Sequence, residues 1–291
     1  TAKIGADNPD NIYLNANIDG EQAYKIYGNI GELDYLSFGI KENRYSEDGT
    51  MISLGEIDMR DMEIENSGDF ILYLGGAETS KNYLPMPESA NMLIVRQTYK
   101  NRIKQTHAKI NIKNLDSKPI PKLLTTEKLE NQLNQTLAFV SGTASTFLKW
   151  VNEFKLNHKN SLPLGDQSFF QAAGGDPKIC YLHGYYEFNE DECLQIITDI
   201  PECEYWNFQL ENYWMESLDY RHYPIHINDS SASLEDDNSI IITISHSPIN
   251  IKNNLITEGR NNGAMLLRWI GSTNNPIPEV KIKKIESIEI N

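Results

Sequence analysis

Glu32-Leu33-Asp34-Tyr35-Leu36-Ser37-Phe38-Gly39-Ile40 recurs further along the chain as Glu202-Cys203-Glu204-Tyr205-Trp206-Asn207-Phe208-Gln209-Leu210. In each copy every second residue is apolar: Leu36, Phe38 and Ile40 in the first, Trp206, Phe208 and Leu210 in the second. That period of two is the signature of a β-strand with one face turned to a core. The copies differ on the other face, where Ser37 and Gly39 become Asn207 and Gln209.

The likeness extends outward at a constant offset. Ile26 and Ile30 match Ile196 and Ile200, and Phe70–Leu74 matches Ile240–Ile244. At a slightly shorter spacing Tyr13-Leu14 matches Tyr181-Leu182, and at a slightly longer one Arg96 matches Arg268. Lys109–Ile112 fits the stretch at Val280-Lys281-Ile282. Strands are expected at 12–18, 24–27, 33–40, 62–65, 70–74, 92–98 and 108–112. A second set is expected at 179–188, 193–200, 204–210, 225–228, 240–246, 264–270 and 280–283. Asp19-Gly20 and Ser67-Gly68 read as hairpin turns.

Between the two sets the period changes. Leu129, Leu133, Leu137, Val140, Ala144, Phe147, Leu148, Val151 and Phe154 recur every three or four residues, one apolar stripe on a long helix. Thr125 or Thr126 caps its start, and Gly142 marks a kink or a close crossing. The chain therefore reads as mainly β: a first sandwich over 1–120, a helix and linker over 121–165, and a second sandwich over 166–291. Alternating strands bury their apolar face against a second sheet, so each set makes its own sandwich.

The net charge of −15 over 291 residues opposes binding to phosphate backbones and to anionic membranes. No apolar run approaches the ~20 residues that span a bilayer. The three cysteines, Cys180, Cys193 and Cys203, form neither a disulfide framework nor a CxxC metal pair. With no signal peptide in the sequence, a cytoplasmic location is expected. No GxxxxGK[ST], GxGxxG or GxSxG motif is present, so no nucleotide cofactor is called for and no hydrolase nucleophile stands out. None of the histidines forms HxH or HExxH. His183, His226 and His246 fall on strands, but their spacing assigns no metal.

Candidate chemistry lies in 202–221 and at Arg268. Tyr205, Asn207 and Gln209 share one strand face, and a phenol with two amides suits a polyhydroxyl or carboxylate ligand or, as the alternative, a structural polar network between the halves that fixes sheet register. Trp214 offers an apolar wall, and Tyr220 and Arg268 complete the expected ligand-binding set. Glu216 is the candidate acid/base, with Arg221 on substrate charge. The alternative for Arg221 is an ion pair with Asp219 or Glu216. Arg96 and Arg268 are expected to salt-bridge within their own sandwiches.

The run 202–221, together with Asn8-Pro9-Asp10-Asn11, Ala173-Gly174-Gly175-Asp176-Pro177 and the stretch 263–270, resembles a bacterial family labelled domain of unknown function 1214, often found beside a related domain numbered 1254. The resemblance covers nearly the whole chain and implies jelly-roll-like β domains with helical additions. It supplies no chemistry. Where that family often carries a C-terminal histidine, Glu258-Gly259-Arg260-Asn261 stand here. Three readings follow. The first is binding of a small organic or carbohydrate-like ligand in the second sandwich or between the halves. The second is an enzyme using Glu216, and the third an assembly protein whose sandwiches offer edges for a homo-oligomer.

Overall fold

The structure is a computed structural model that describes residues 3–78, 80–116 and 123–288. It is mainly β, with two sandwich-like halves and one long helix joining them. The first half is built from β1 (Asn11–Asn17), β2 (Tyr24–Asn29), β3 (Tyr35–Arg44), β4 (Thr50–Asp58), β5 (Asp69–Leu74), β6 (Tyr83–Leu84), β7 (Met92–Thr98) and β8 (Lys109–Asn114). Its sheets run β1-β7-β3-β4 and β6-β5-β2-β8. Leu36, Phe38 and Ile40 from one sheet and Ile26, Leu72 and Leu74 from the other are fully buried in one core. Each such side chain contributes roughly 1.5–3 kcal/mol through burial.

After α1 (Thr126–Asn157) and α2 (Gln167–Ala172) come β9 (Ile179–Glu187), β10 (Glu192–Asp199), β11 (Tyr205–Leu210) and β12 (His226–Asn228). They are followed by β13 (Ser239–Ser245), β14 (Asn254–Ile256), β15 (Asn262–Ile270) and β16 (Glu279–Lys284). The sheets run β12-β11-β15-β9 and β14-β13-β10-β16, the strand order of the first half met again in sequence. Register repeats with it. Ser37 lies opposite Arg96 as Asn207 lies opposite Arg268, and Ile26 opposite Leu72 as Ile196 opposite Ile242. Trp206, Phe208 and Leu210 face this half's core with Ile196, Ile242 and Ile244.

Several local expectations are corrected. Asp19-Gly20 is no hairpin: β1 pairs with β7 and β2 with β5 and β8, so the turn carries the chain from one sheet to the other. Met62–Glu65 is irregular, while β4 was not expected. Its alternation is broken by a bulge of its own: Ile40 lies opposite Gly55 and Lys41 opposite Ser53, so Leu54 is an extra residue and the register slips by one.

The helix is confirmed, with the Lys128 amide donating to Thr125 Oγ1 at 3.2 Å. Only the end of its stripe is buried, at Phe147, Trp150, Val151 and Phe154. Leu129, Leu133, Leu137 and Val140 are exposed. Gly142 is a close crossing, since a Cβ there would overlap the carbonyl oxygen of Tyr45.

Compact packing does not follow chain order. Described residues of 10–142 and 171–175 form one unit, and those up to 9, of 143–170 and from 176 onward form the other. The segment ahead of β1 thus belongs with β9–β16, and a short segment ahead of β9 belongs with β1–β8.

Candidate functional site

In an antiparallel sheet, directly opposed residues point to the same side. Gln209 lies opposite Leu266, which lies opposite His183; Asn207 lies opposite Arg268, which lies opposite Tyr181. The side of the β12-β11-β15-β9 sheet away from the sandwich core therefore carries Asn207, Gln209, Arg268, Tyr181 and His183. The alternation runs on to Glu211, just beyond β11. Asn207, Gln209 and Glu211 are fully buried, and Arg268 is 4% exposed.

Such groups demand partners, and they find them in each other and in residues 6–8. Arg268 donates through Nη1 to Gln209 Oε1 at 2.6 Å and through Nη2 to the carbonyl oxygen of Ala6. Gln209 Nε2 donates to the Asp7 carbonyl at 3.0 Å and to Glu211 Oε1 at 2.8 Å. Asn207 Nδ2 donates to Asn8 Oδ1 at 2.7 Å. The Asp7 carboxylate is itself held by the amide and hydroxyl of Ser217, at 2.9 and 2.8 Å. Lys3 reaches the carbonyl oxygens of Ser217 and Leu218 and lies 5.0 Å from the ring centre of Tyr220. Arg268 makes no ion pair among the described residues, so its expected salt bridge is replaced by neutral oxygens.

Two polar atoms on this side have no partner among the described residues: Glu211 Oε2 and His183 Nδ1. Burial pushes the Glu211 carboxyl up to about 8, against a downward pull from Arg268 and a further push from Asp7. At neutral pH it is mainly protonated and offers an O–H donor. Burial, then Arg268 and His158, holds His183 well below its usual range. Its ring stacks on Phe154 at 5.0 Å and meets Phe170 at 4.6 Å, an aromatic box that favours the neutral imidazole.

The other nominated residues are placed as follows along the chain. Tyr205 is buried at the start of β11, and Tyr220 is half-buried. Trp214 is 54% exposed on the loop after β11, so it walls no buried pocket. That loop is tight: Met215 has a φ of 55°, and Asn212 Oδ1 accepts from the amides of Trp214 and Glu216. Glu216 accepts from Asn212 Nδ2 at 2.7 Å. Arg221 grips Asp219 through two bonds of 2.9 Å, which draws the Asp219 carboxyl down to about 2. The ion-pair alternative for Arg221 is thus the one found. His246 bonds Thr257 and stacks on Phe188, away from the box of His183. Among the described residues no three histidine, cysteine or acidic side chains gather as a metal site. No helix among them is long and apolar enough to cross a membrane.

The first half carries a related arrangement. Arg96 Nη2 donates to the carbonyl oxygen of Gly174 at 2.8 Å, and Tyr45 Oη to that of Ala173 at 2.6 Å. Arg96 also lies 3.6 Å from Glu56, which pairs with the fully buried Lys41. Here the expected salt bridge is present.

An uncharacterized protein from Burkholderia cenocepacia, known from a crystal structure, is similar over 99% of this chain and 80% of its own, at 36% identity and a TM-score of 0.95. A protein from Vibrio parahaemolyticus is similar over 96% of this chain and 90% of its own, at a TM-score of 0.57. Its identity is 11%, and the likeness is one of fold alone. No protein-family model matches the chain. No curated protein matches it either.

Proposed function

The chain belongs to the same family as the uncharacterized Burkholderia cenocepacia protein, and we propose that it is a binding protein whose ligand face is the polar side of the β9-β15-β11 sheet. The observation that supports this most is Arg268. A guanidinium at 4% exposure, with neutral oxygens as its only partners among the described residues, is costly to bury. An oxygen-rich or anionic ligand offsets that cost directly. Asn207 and Gln209 add amide donors and acceptors, and protonated Glu211 adds a hydroxyl donor with no partner of its own. The set suits a small organic or carbohydrate-like molecule bearing carboxylate, carbonyl or hydroxyl oxygens. Residues 6–8 occupy these donors, so a ligand enters by displacing them.

The enzyme reading has less support. Glu216 is bonded to Asn212 and Arg221 is committed to Asp219, which leaves neither placed for acid–base work. If catalysis occurs, Glu211 is the better-placed carboxyl, by its burial and raised ionisation.

The test is a thermal-shift screen of carboxylates, sugars and oligosaccharides, because a ligand that binds the folded chain raises its melting temperature. A ligand-dependent rise that Arg268→Met abolishes supports the reading. No rise across the set, or one indifferent to Arg268→Met, removes it.

A further inference from the structure

Resting on that reading, we infer that the ligand class of the Arg268 face is a short, bent peptide segment, recognised through its backbone carbonyls. Three observations converge. First, the groups that occupy the face are peptide groups: the carbonyls of Ala6 and Asp7 and the side-chain amide of Asn8. The backbone amide of Ala6 is also used, donating to the carbonyl oxygen of Met215 at 2.7 Å. Gly5 and Ala6 are both left-handed, with φ of 58° and 61°, and this bend turns the Ala6 and Asp7 carbonyls onto Arg268 and Gln209 while the Asp7 and Asn8 side chains engage Ser217 and Asn207.

Second, the same device appears twice. Gly5-Ala6-Asp7-Asn8-Pro9 stands ahead of β1 as Ala173-Gly174-Gly175-Asp176-Pro177 stands ahead of β9, at the spacing that places Tyr13 on Tyr181. Tyr13 and Tyr181 are register partners of Arg96 and Arg268. Ala6 and Gly174 are therefore equivalent, and each gives its carbonyl oxygen to an equivalent arginine.

Third, the exchange is reciprocal. Residues up to 9 pack with the unit of β9–β16, and residues 171–175 pack with that of β1–β8. Recognition of a small, bent segment is thus separable from the strands that follow it. A segment of this kind supplied by another chain meets the same donors.

The test uses a labelled peptide of residues 3–11, Lys-Ile-Gly-Ala-Asp-Asn-Pro-Asp-Asn, and fluorescence anisotropy. The receptor is the full chain carrying Asp7→Ala and Asn8→Ala, which weakens the resident segment. The milder Asp7→Asn chain serves if the double variant fails to melt cooperatively. Binding is expected to the weakened chain, and at least about tenfold more weakly to the unaltered chain, whose own segment competes at high effective concentration. Adding Arg268→Met to the weakened chain is expected to cost about tenfold or more. Two results overturn the inference: no anisotropy change with a folded weakened chain, or equal binding of the reversed-sequence peptide. A small-molecule shift without peptide binding leaves the binding function standing and removes the peptide assignment. Failure of both removes both.

Discussion

Arg96 and Arg268 hold the same position in two sandwiches, each opposite the third residue of a matching strand and each donating to a backbone carbonyl, of Gly174 in one case and of Ala6 in the other. Their surroundings differ. Arg96 has Glu56 at 3.6 Å, whereas Arg268 has two amide side chains and a carboxyl held mainly neutral. The first site sets a carboxylate against its arginine and Lys41; the second gives its arginine neutral oxygens.

The Asp7 carboxylate makes two of the bonds that hold the segment over the second site. Asp7→Ala removes two bonds and leaves the Ser217 amide and hydroxyl unsatisfied in a residue only 3% exposed. A loss of about 2–3 kcal/mol is expected in urea denaturation. Tyr45→Phe, which deletes the bond to Ala173, is expected to cost about 1 kcal/mol. A loss for Asp7→Ala no greater than that of Tyr45→Phe contradicts the idea that Asp7 anchors the segment.

Stability will depend on pH through Glu211. Its carboxyl ionises near 8 in the folded chain against 4.5 for the free group. Between those values the folded chain keeps a proton that the unfolded chain has released. The contribution is full below about 4.5, declines as pH rises, and is lost above about 8, a change on the order of a few kcal/mol. Glu211→Gln is expected to flatten the fall in melting temperature from pH 5 to pH 9. A parallel decline in both proteins rules Glu211 out as its source.

His183 acts in the opposite direction. Burial holds it neutral, so protonation of the unfolded chain below its usual 6.5 draws the equilibrium toward unfolding. His183→Phe, which keeps the aromatic packing, is expected to hold its melting temperature better than the parent between pH 6.5 and pH 5. An equal loss in both chains assigns the acid-side instability elsewhere.

Glycine is usually a weak point in a helix, and replacing it with alanine gains about 1 kcal/mol. Gly142→Ala is expected to reverse that sign and cost roughly 1–3 kcal/mol, because the new methyl meets the Tyr45 carbonyl. A more stable Gly142→Ala chain would refute the close crossing.

Along α1, Leu133→Gln and Leu137→Gln should change stability by less than about 0.5 kcal/mol, being surface substitutions. Phe154→Ala, at 2% exposure within the ring cluster, is expected to cost about 3–5 kcal/mol. Chemical denaturation of the three variants separates the two ends of the helix.

Much of this architecture was legible because alternation is a local property. Trp206, Phe208 and Leu210 announce a buried face, and their recurrence after Leu36, Phe38 and Ile40 announces a second sandwich. The helix was legible from period, but its burial was not: Leu133 and Phe154 carry the same spacing signal and meet opposite environments. β4 is hidden because the bulge at Leu54 breaks its own alternation midway. On the candidate face, strand parity puts Asn207 beside Gln209, and the internal repeat puts Arg268 where Arg96 stands in the first half. Glu211 was missed although the same parity, carried one step beyond Gln209, reaches it. Asp7 and Asn8 could not be linked to the site by pattern, since their contacts span nearly the whole sequence. Glu216 and Trp214 were drawn in by nearness in sequence, which a tight loop does not translate into nearness of side chains.

The reciprocal leader segments bear on how the protein is made. A ribosome completes all eight strands of the first sandwich well before it adds Gly174, whose carbonyl caps Arg96. Until then Arg96 and Tyr45 must remain solvated, and that sandwich cannot reach its final polar bonding while it emerges.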